Sequence, residues 1–232
     1  MLFRSMGKMA AGTAHHLNSP LAALLIRTEL IRQHSTGPAF DADLARIEEG
    51  LHFCRHFVQR LLDFTRVLPL EKAPQDLATV IESIAGFFQP AILSRQVNLT
   101  VDTSEGRGQL VLADRNQLET LLLTLLSNAL DAVPAGGEIH LRCRCRSSGT
   151  VGFTVSDNGS GISAAHLEHV FEPFFTTKEP GKGTGLGLAI ARNVVMEHGG
   201  SIAIESRPGE GATAIVDLPL AAVGDAEEKV AP

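Results

Sequence analysis

The chain has 232 residues, 44% of them hydrophobic, with a formal net charge of −6 and three cysteines. That length and apolar content suffice for one packed α/β core beside a smaller helical unit. The acidic balance argues against a general nucleic-acid binder, three cysteines give no disulfide framework, no apolar run reads as long enough to cross a bilayer, and no signal peptide is visible.

In chain order, the first regular pattern is Ala10, Ala14, Leu17, Leu21, Leu24, Thr28 and Ile31, recurring at alternating steps of four and three. That period predicts a helix packed in a coiled-coil-like bundle. A turn at Ser35-Thr36-Gly37-Pro38 follows, and then Leu44, Ile47, Leu51, Cys54, Val58, Leu61, Thr65 and Leu68 keep the same period. Two such helices form a hairpin with half-open apolar seams, which predicts a homodimer closed as a four-helix bundle. His15 follows Ala14, so the register places it beside the seam, facing solvent. Pro20 has no N–H to give the carbonyl of His16, and the helix is expected to kink or loosen there. Taken alone, a His-His pair on a helix fits a solvated surface.

Pro69 and Pro74 interrupt the helical pattern, which predicts a hairpin over 1–70, a linker at 71–75 and a second unit over 76–220. In that unit, helical periodicity is read near 77–95, 115–133 and 186–198, and strands near 97–102, 109–113, 138–146, 150–156, 201–205 and 212–218. The expected architecture is α+β, with a mixed sheet covered by helices on one face. The tail 221–232, which carries Asp225, Glu227 and Glu228, is expected to be disordered. Ile139, Leu141, Cys143 and Cys145 alternate with His140, Arg142, Arg144 and Arg146, which puts both cysteines on the buried face of a strand. With no second cysteine pair and no carboxylate signature beside His166 and His169, a metal centre is not expected at either place.

Three segments carry chemistry. In LLSNALDA (125–132), Asn128 is a neutral amide in a strongly apolar helix where Leu118, Leu121, Leu122, Leu125, Leu126 and Ala129 form one face. Such an amide needs a partner, either a metal bridging phosphate oxygens or a neighbouring loop. In SDNGSGI (156–162), Asp157 ends an alternating strand and enters an Asn-Gly turn. A carboxylate there can accept an exocyclic amine such as that of adenine, and an ordinary hairpin turn explains DNG equally well. In KGTGLGLAI (182–190), Gly183, Gly185 and Gly187 let the backbone approach a phosphate, and the following helix start offers free N–H groups. Alone, that cluster also fits a flexible turn.

In this order, with Phe171-Glu172-Pro173-Phe174-Phe175-Thr176-Thr177-Lys178 between the last two, the segments resemble the ATP-binding domain of sensor histidine kinases, with its N box, two glycine boxes and F box. The resemblance implies a Bergerat-type sandwich that binds ATP, with Asn128 holding Mg²⁺ and Asp157 reading adenine. Gly159 and Gly161 would shape the adenine pocket. Gly183, Thr184, Gly185, Leu186 and Gly187 would form the phosphate loop, and 171–184 would be a mobile lid. Lys178 reads either as a further phosphate contact or as a solvated charge. The stretch 10–21 resembles the family's H box, which makes His15 the phosphoacceptor. The resemblance therefore implies a kinase that phosphorylates His15 and passes the group to an Asp on a response-regulator receiver domain; with no spanning run or signal peptide visible, the chain is expected to be cytoplasmic. The alternatives are an ATP-binding scaffold that docks a receiver without transfer and a related hydrolytic ATPase.

Four positions depart from the family pattern, the first being Asp131, where the family often carries a basic residue. Thr124 stands where many members carry a second Asn, and where the hydrolytic relatives carry a Glu that activates water. Ser19 stands where relatives often place Thr or Asn for dephosphorylation, which puts phosphatase activity in doubt. His16 replaces an acidic residue: it reads as a second imidazole that can hold the proton on His15 only when neutral, as a tolerated surface replacement, or as the acceptor itself, which the spacing to Pro20 disfavours. With a free His titrating near about pH 6.5, autophosphorylation is expected to fall more steeply on acidification than in the variant His16→Glu. Superimposable rate–pH profiles for the two proteins would refute this.

Overall fold

The computed structural model describes residues 21, 24–26, 28, 29, 44, 47, 51, 70–146, 149–179 and 183–221. Contacts divide the chain into two compact units: Met1–Pro69 together with Phe174–Leu186, and Leu70–Pro173 together with Gly187–Pro232. In the first unit every described residue of the expected hairpin is helical. Thr28 and Leu44 are buried, whereas Leu24 and Ile47 keep about half their surface, 47% and 52%, open to water. An apolar seam half open in one chain is what a second copy would cover. The hydroxyl of the buried Thr28 donates back to Leu25 O at 2.8 Å. His15, His16, Ser19 and Pro20 lie outside the described residues, as do 222–232 of the expected tail.

The second unit is an α/β sandwich. Its elements are β1 (Ala73–Asp76), α1 (Leu77–Ser94), β2 (Asn98–Asp102), β3 (Leu110–Ala113), α2 (Arg115–Ala132), β4 (Glu138–Arg146), β5 (Thr150–Asp157), a single turn α3 (Ala164–Leu167), α4 (Gly187–Glu197), β6 (Ser201–Ser206) and β7 (Ala212–Pro219). Five strands form a mixed sheet in the order β2-β4-β5-β7-β6, parallel only between β2 and β4. Strands β1 and β3 pair separately, Ala73 opposite Ala113. The stretch 71–75 is therefore more than a linker: its last three residues are strand, and Pro74 is tolerated because β1 is an edge.

Alternation along β4 and β7 buries Ile139, Leu141, Cys143, Ala214, Val216 and Leu218 on one face, where they meet Leu118, Leu121, Leu122, Leu125 and Leu126 of α2. Burial of these side chains out of water is the main term holding the two layers together. Desolvation pushes the Cys143 thiol up to about 12, so it stays an inert core residue. Cys145 corrects the expectation of two buried cysteines. It points to the same side but is exposed, because it lies past the Gly106 turn that covers Cys143. Arg142 and Arg144 face water as expected.

Helix α1 has one charge, Glu82, in 18 residues and a mean hydropathy of 1.4, long and apolar enough by composition to cross a membrane. That corrects the reading that no run reaches this length. The composition has a plainer cause, since Leu77, Ala78, Val80, Ile81, Ile84, Ala85 and Ile92 fill the sandwich. Asp76 caps its first turn, accepting from the N–H groups of Ala78 and Thr79.

The far ends of α2 and α4 are tied together. Asp114 caps α2 through Gln117 N–H, and its second oxygen accepts from Glu71 N–H at 3.2 Å. Its own N–H donates to Nε2 of the buried His198 at 3.0 Å, while the other ring nitrogen donates to Val194 O at 2.7 Å. These two bonds require a neutral imidazole protonated on Nδ1. The helices that carry Asn128 and Gly187 therefore share one fixed base.

Candidate nucleotide-binding site

Helix α2 works as a ruler. At its C-terminal end Ala132 O accepts from Ser160 N–H at 3.3 Å, and Gly159 lies so close that a Cβ there would overlap the same carbonyl. Two turns earlier, a Cβ on Gly187 would come within 3.2 Å of Thr124 Cγ2. The helix rises about 1.5 Å per residue, so the Asp157 turn and the start of α4 are held about 12 Å apart along its axis. Asn128 lies midway.

Asp157 is the last residue of β5 and is half-buried. Its Oδ1 accepts from Gly159 N–H at 2.9 Å and from Ala212 N–H at 3.3 Å, and among the described residues Oδ2 has no partner. Burial holds its pKa above the ordinary carboxylate value, and the two amides only partly oppose that. The result is a fixed carboxylate with one oxygen spent on the fold and one available to an N–H donor. Asn158 pins the turn to β4, accepting from Glu138 N–H at 2.8 Å.

Glycines line this turn because backbone occupies the space where a Cβ would sit. Gly161 has φ 68° with its open side against Arg207 O, and Gly211 has φ 79° against the carbonyl of Asp157 itself. The hairpin between β6 and β7 thus closes on Asp157 through Gly211 and Ala212. Thr213 adds a bond from its hydroxyl to Ser156 Oγ at 3.0 Å. The sequence reading missed Gly211 and Ala212. Pro208-Gly209-Glu210-Gly211 announces a turn, but nothing in it names the strand on which that turn closes.

Thr124 and Asn128 stand one turn apart on the same side of α2, flanking its apolar face. Both are half-buried, and neither side chain bonds to a described residue. A half-buried amide and hydroxyl without partners among the described residues are hard oxygen donors available to an ion or water. At Gly187 the first N–H groups of α4 have no partner within the helix, which makes an anion-favouring terminus beside that pair.

Lys178, Gly183, Thr184, Gly185 and Leu186 fall in the segment that belongs to the other unit. Within it, Phe174 N–H donates to Gly185 O at 2.9 Å, with Phe174 at φ 72° and Gly185 at φ 66°. A non-glycine residue in the left-handed region is costly, and here it faces a glycine whose missing Cβ makes room for the Phe174 backbone. Lys178 N–H donates to Thr176 Oγ1, Leu186 N–H donates to Thr184 Oγ1 at 3.4 Å, and Leu186 is fully buried. The structure thus gathers Asn128, Asp157, Gly159, Gly161 and Gly187 in one unit and the remaining phosphate-loop residues in the other.

A mixed sheet under helices, with a carboxylate, an amide and a helix terminus strung along one helix, defines a nucleotide-binding sandwich. The comparisons give its family. Residues 113–222 match the family described as "Histidine kinase-, DNA gyrase B-, and HSP90-like ATPase", and residues 5–68 match "His Kinase A (phospho-acceptor) domain". The catalytic domain of histidine kinase ThkA has 31% sequence identity and a TM-score of 0.58, aligning with 64% of this chain and 95% of that one. Full-length ShkA, solved in complex with AMPPNP, shares the fold at a TM-score of 0.76 over 93% of this chain and 46% of its own, with 24% identity. Sensor kinase CckA of Brucella abortus is 34% identical over 232 residues, 93% of this chain and 24% of its own length. Sensor histidine kinase ZraS of Klebsiella oxytoca is 34% identical over 218 residues, 93% and 46% respectively. The chain belongs to the histidine kinases. It spans from about a quarter to about half the length of these sensor kinases.

Proposed function

We propose that this chain is the core of a two-component histidine kinase, transferring the γ-phosphoryl group of ATP to His15 and from there to an Asp on a receiver domain. The observation that carries the reading is the spacing along α2. An adenine-reading carboxylate at one end and an anion-favouring helix start two turns away fit the two ends of an extended nucleotide, with Asn128 between them. The AMPPNP bound to ShkA supports ATP as the nucleotide. Thr124 supports transfer over hydrolysis, because a hydroxyl there is no base for activating water.

Asp157 Oδ2 would accept the adenine amine, and the N–H groups at Gly187 would face phosphate oxygens. Asn128 and Thr124 would hold Mg²⁺, which when bound neutralises charge on the phosphates. An imidazole nitrogen of His15 attacks the γ-phosphorus in line. The N–P bond forms, the bond to the β–γ bridging oxygen breaks with its electron pair leaving on ADP, and the proton on the other ring nitrogen is held by neutral His16. The half-open seam at Leu24 and Ile47 supports a homodimer through 1–70. ATP as phosphoryl donor and a receiver domain as acceptor support a cytoplasmic location.

The chain with Mg²⁺ and γ-labelled ATP should gain label on protein in step with ADP release. Steady phosphate release without labelled protein would make it a hydrolase, and nucleotide binding with neither product would make it a scaffold.

A further inference from the structure

We propose that Arg192 is a positioning residue for the nucleotide site, acting through the ring of Phe171. The chain leaves the α/β unit after Pro173 and re-enters it at Gly187. Phe171 precedes the point of exit, and Arg192 stands on α4, five residues past the point of re-entry. The guanidinium carbon lies 5.7 Å from the Phe171 ring centroid, a cation–π contact that ties the two points together. Among the described residues Arg192 makes no hydrogen bond or ion pair, so the ring is its partner even though Glu168 and Glu172 flank Phe171 in sequence and Glu197 lies five residues past Arg192. Both partners are seated from behind: Val170 is 7% exposed and Ala191 fully buried, and these set where the ring and the arginine stem begin.

The start of α4 lies beside Thr124, where a Cβ added at Gly187 would come within 3.2 Å of Thr124 Cγ2. A pin between Phe171 and Arg192 holds that helix start in register with Thr124 and Asn128, and fixes where the intervening segment begins and ends. The charge is essential to this role, because an apolar side chain of similar length would pack on the ring without the electrostatic attraction.

The inference rests on the nucleotide-binding reading above. Its test is the affinity of the full chain for Mg²⁺-AMPPNP in wild type, Arg192→Met, Arg192→Lys, Phe171→Leu and the double variant Arg192→Met with Phe171→Leu, with thermal midpoints as the check on folding. Exposed cation–π contacts of this kind correspond to about a 2- to 5-fold change in an equilibrium constant. Arg192→Met and Phe171→Leu should each weaken binding by about that factor. The double variant should be no weaker than the worse single, and Arg192→Lys should stay close to wild type. Unchanged binding in Arg192→Met, multiplicative losses in the double variant, or Lys behaving like Met would each overturn the assignment. A wild type that does not bind AMPPNP would overturn the nucleotide reading and this inference together, a result distinct from a binding wild type with indifferent variants.

Discussion

Asp157→Asn should lower nucleotide affinity by about 10- to 100-fold while leaving the unliganded protein at least as stable as wild type. The affinity loss follows from replacing a charged acceptor with a neutral one, since hydrogen bonds to charged groups contribute about 1.5–3 kcal/mol. Stability responds with the opposite sign. The native pKa is raised by burial, so the folded chain binds this proton more tightly than the unfolded chain. The ionised carboxylate therefore costs folding free energy above the unfolded pKa of about 3.9, and the cost fades only as pH falls through the raised native value. Asn removes the charge, yet its carbonyl can still accept from Gly159 and Ala212. Wild-type affinity should also decline on acidification at a higher pH than an exposed Asp would give, while the Asn variant shows no such step. Titration calorimetry with Mg²⁺-AMPPNP across the acid range, beside denaturant unfolding of both proteins, checks both halves.

The second large effect is structural. Gly211→Ala should destabilise the protein by about 2–5 kcal/mol and abolish nucleotide binding at temperatures where wild type still binds. The φ of 79° costs a residue with a Cβ roughly 1–2 kcal/mol, and forcing that atom onto the Asp157 carbonyl adds an overpacking cost of about 1–3 kcal/mol. Gly209 provides the control. It has the same φ of 79° two residues earlier but open space around its missing Cβ, so Gly209→Ala carries the backbone cost alone. A Gly211→Ala midpoint in urea equal to that of Gly209→Ala would show that the contact with Asp157 does not constrain the fold. The comparison matters because a domain's whole stability is only about 5–15 kcal/mol.

These residues also mark how far the sequence could be read. Helix α2 and strands β4, β5 and β7 were legible because each buries one face, and burial writes a period of 3.6 or 2 into the chain. Asn128, Asp157 and Gly161 were legible for a different reason, namely a motif order that only a resemblance could interpret. Gly211 was not legible, because its requirement for glycine comes from a carbonyl more than fifty residues away. His198 was likewise silent, since its role depends on Asp114 arriving beside it. Strand β1 has four residues, all half-buried and one of them a proline, without clear alternation, which reads as linker until β3 is seen to pair with it. Cys145 shows the limit of periodicity: alternation gives the side of a sheet on which a residue lies, and the cover above that side is a tertiary fact. Phe174 at positive φ is a further tertiary outcome, bonded to a glycine eleven residues on.

The central claim is that His15 receives the phosphoryl group, and the direct measurement is acid-labile, alkali-stable label from γ-labelled ATP on wild type, His15→Gln and His16→Gln. Label on wild type and His16→Gln, with none on His15→Gln, is the predicted result. Label that persists in His15→Gln, or a wild type that binds ATP and stays unlabelled, would contradict the account.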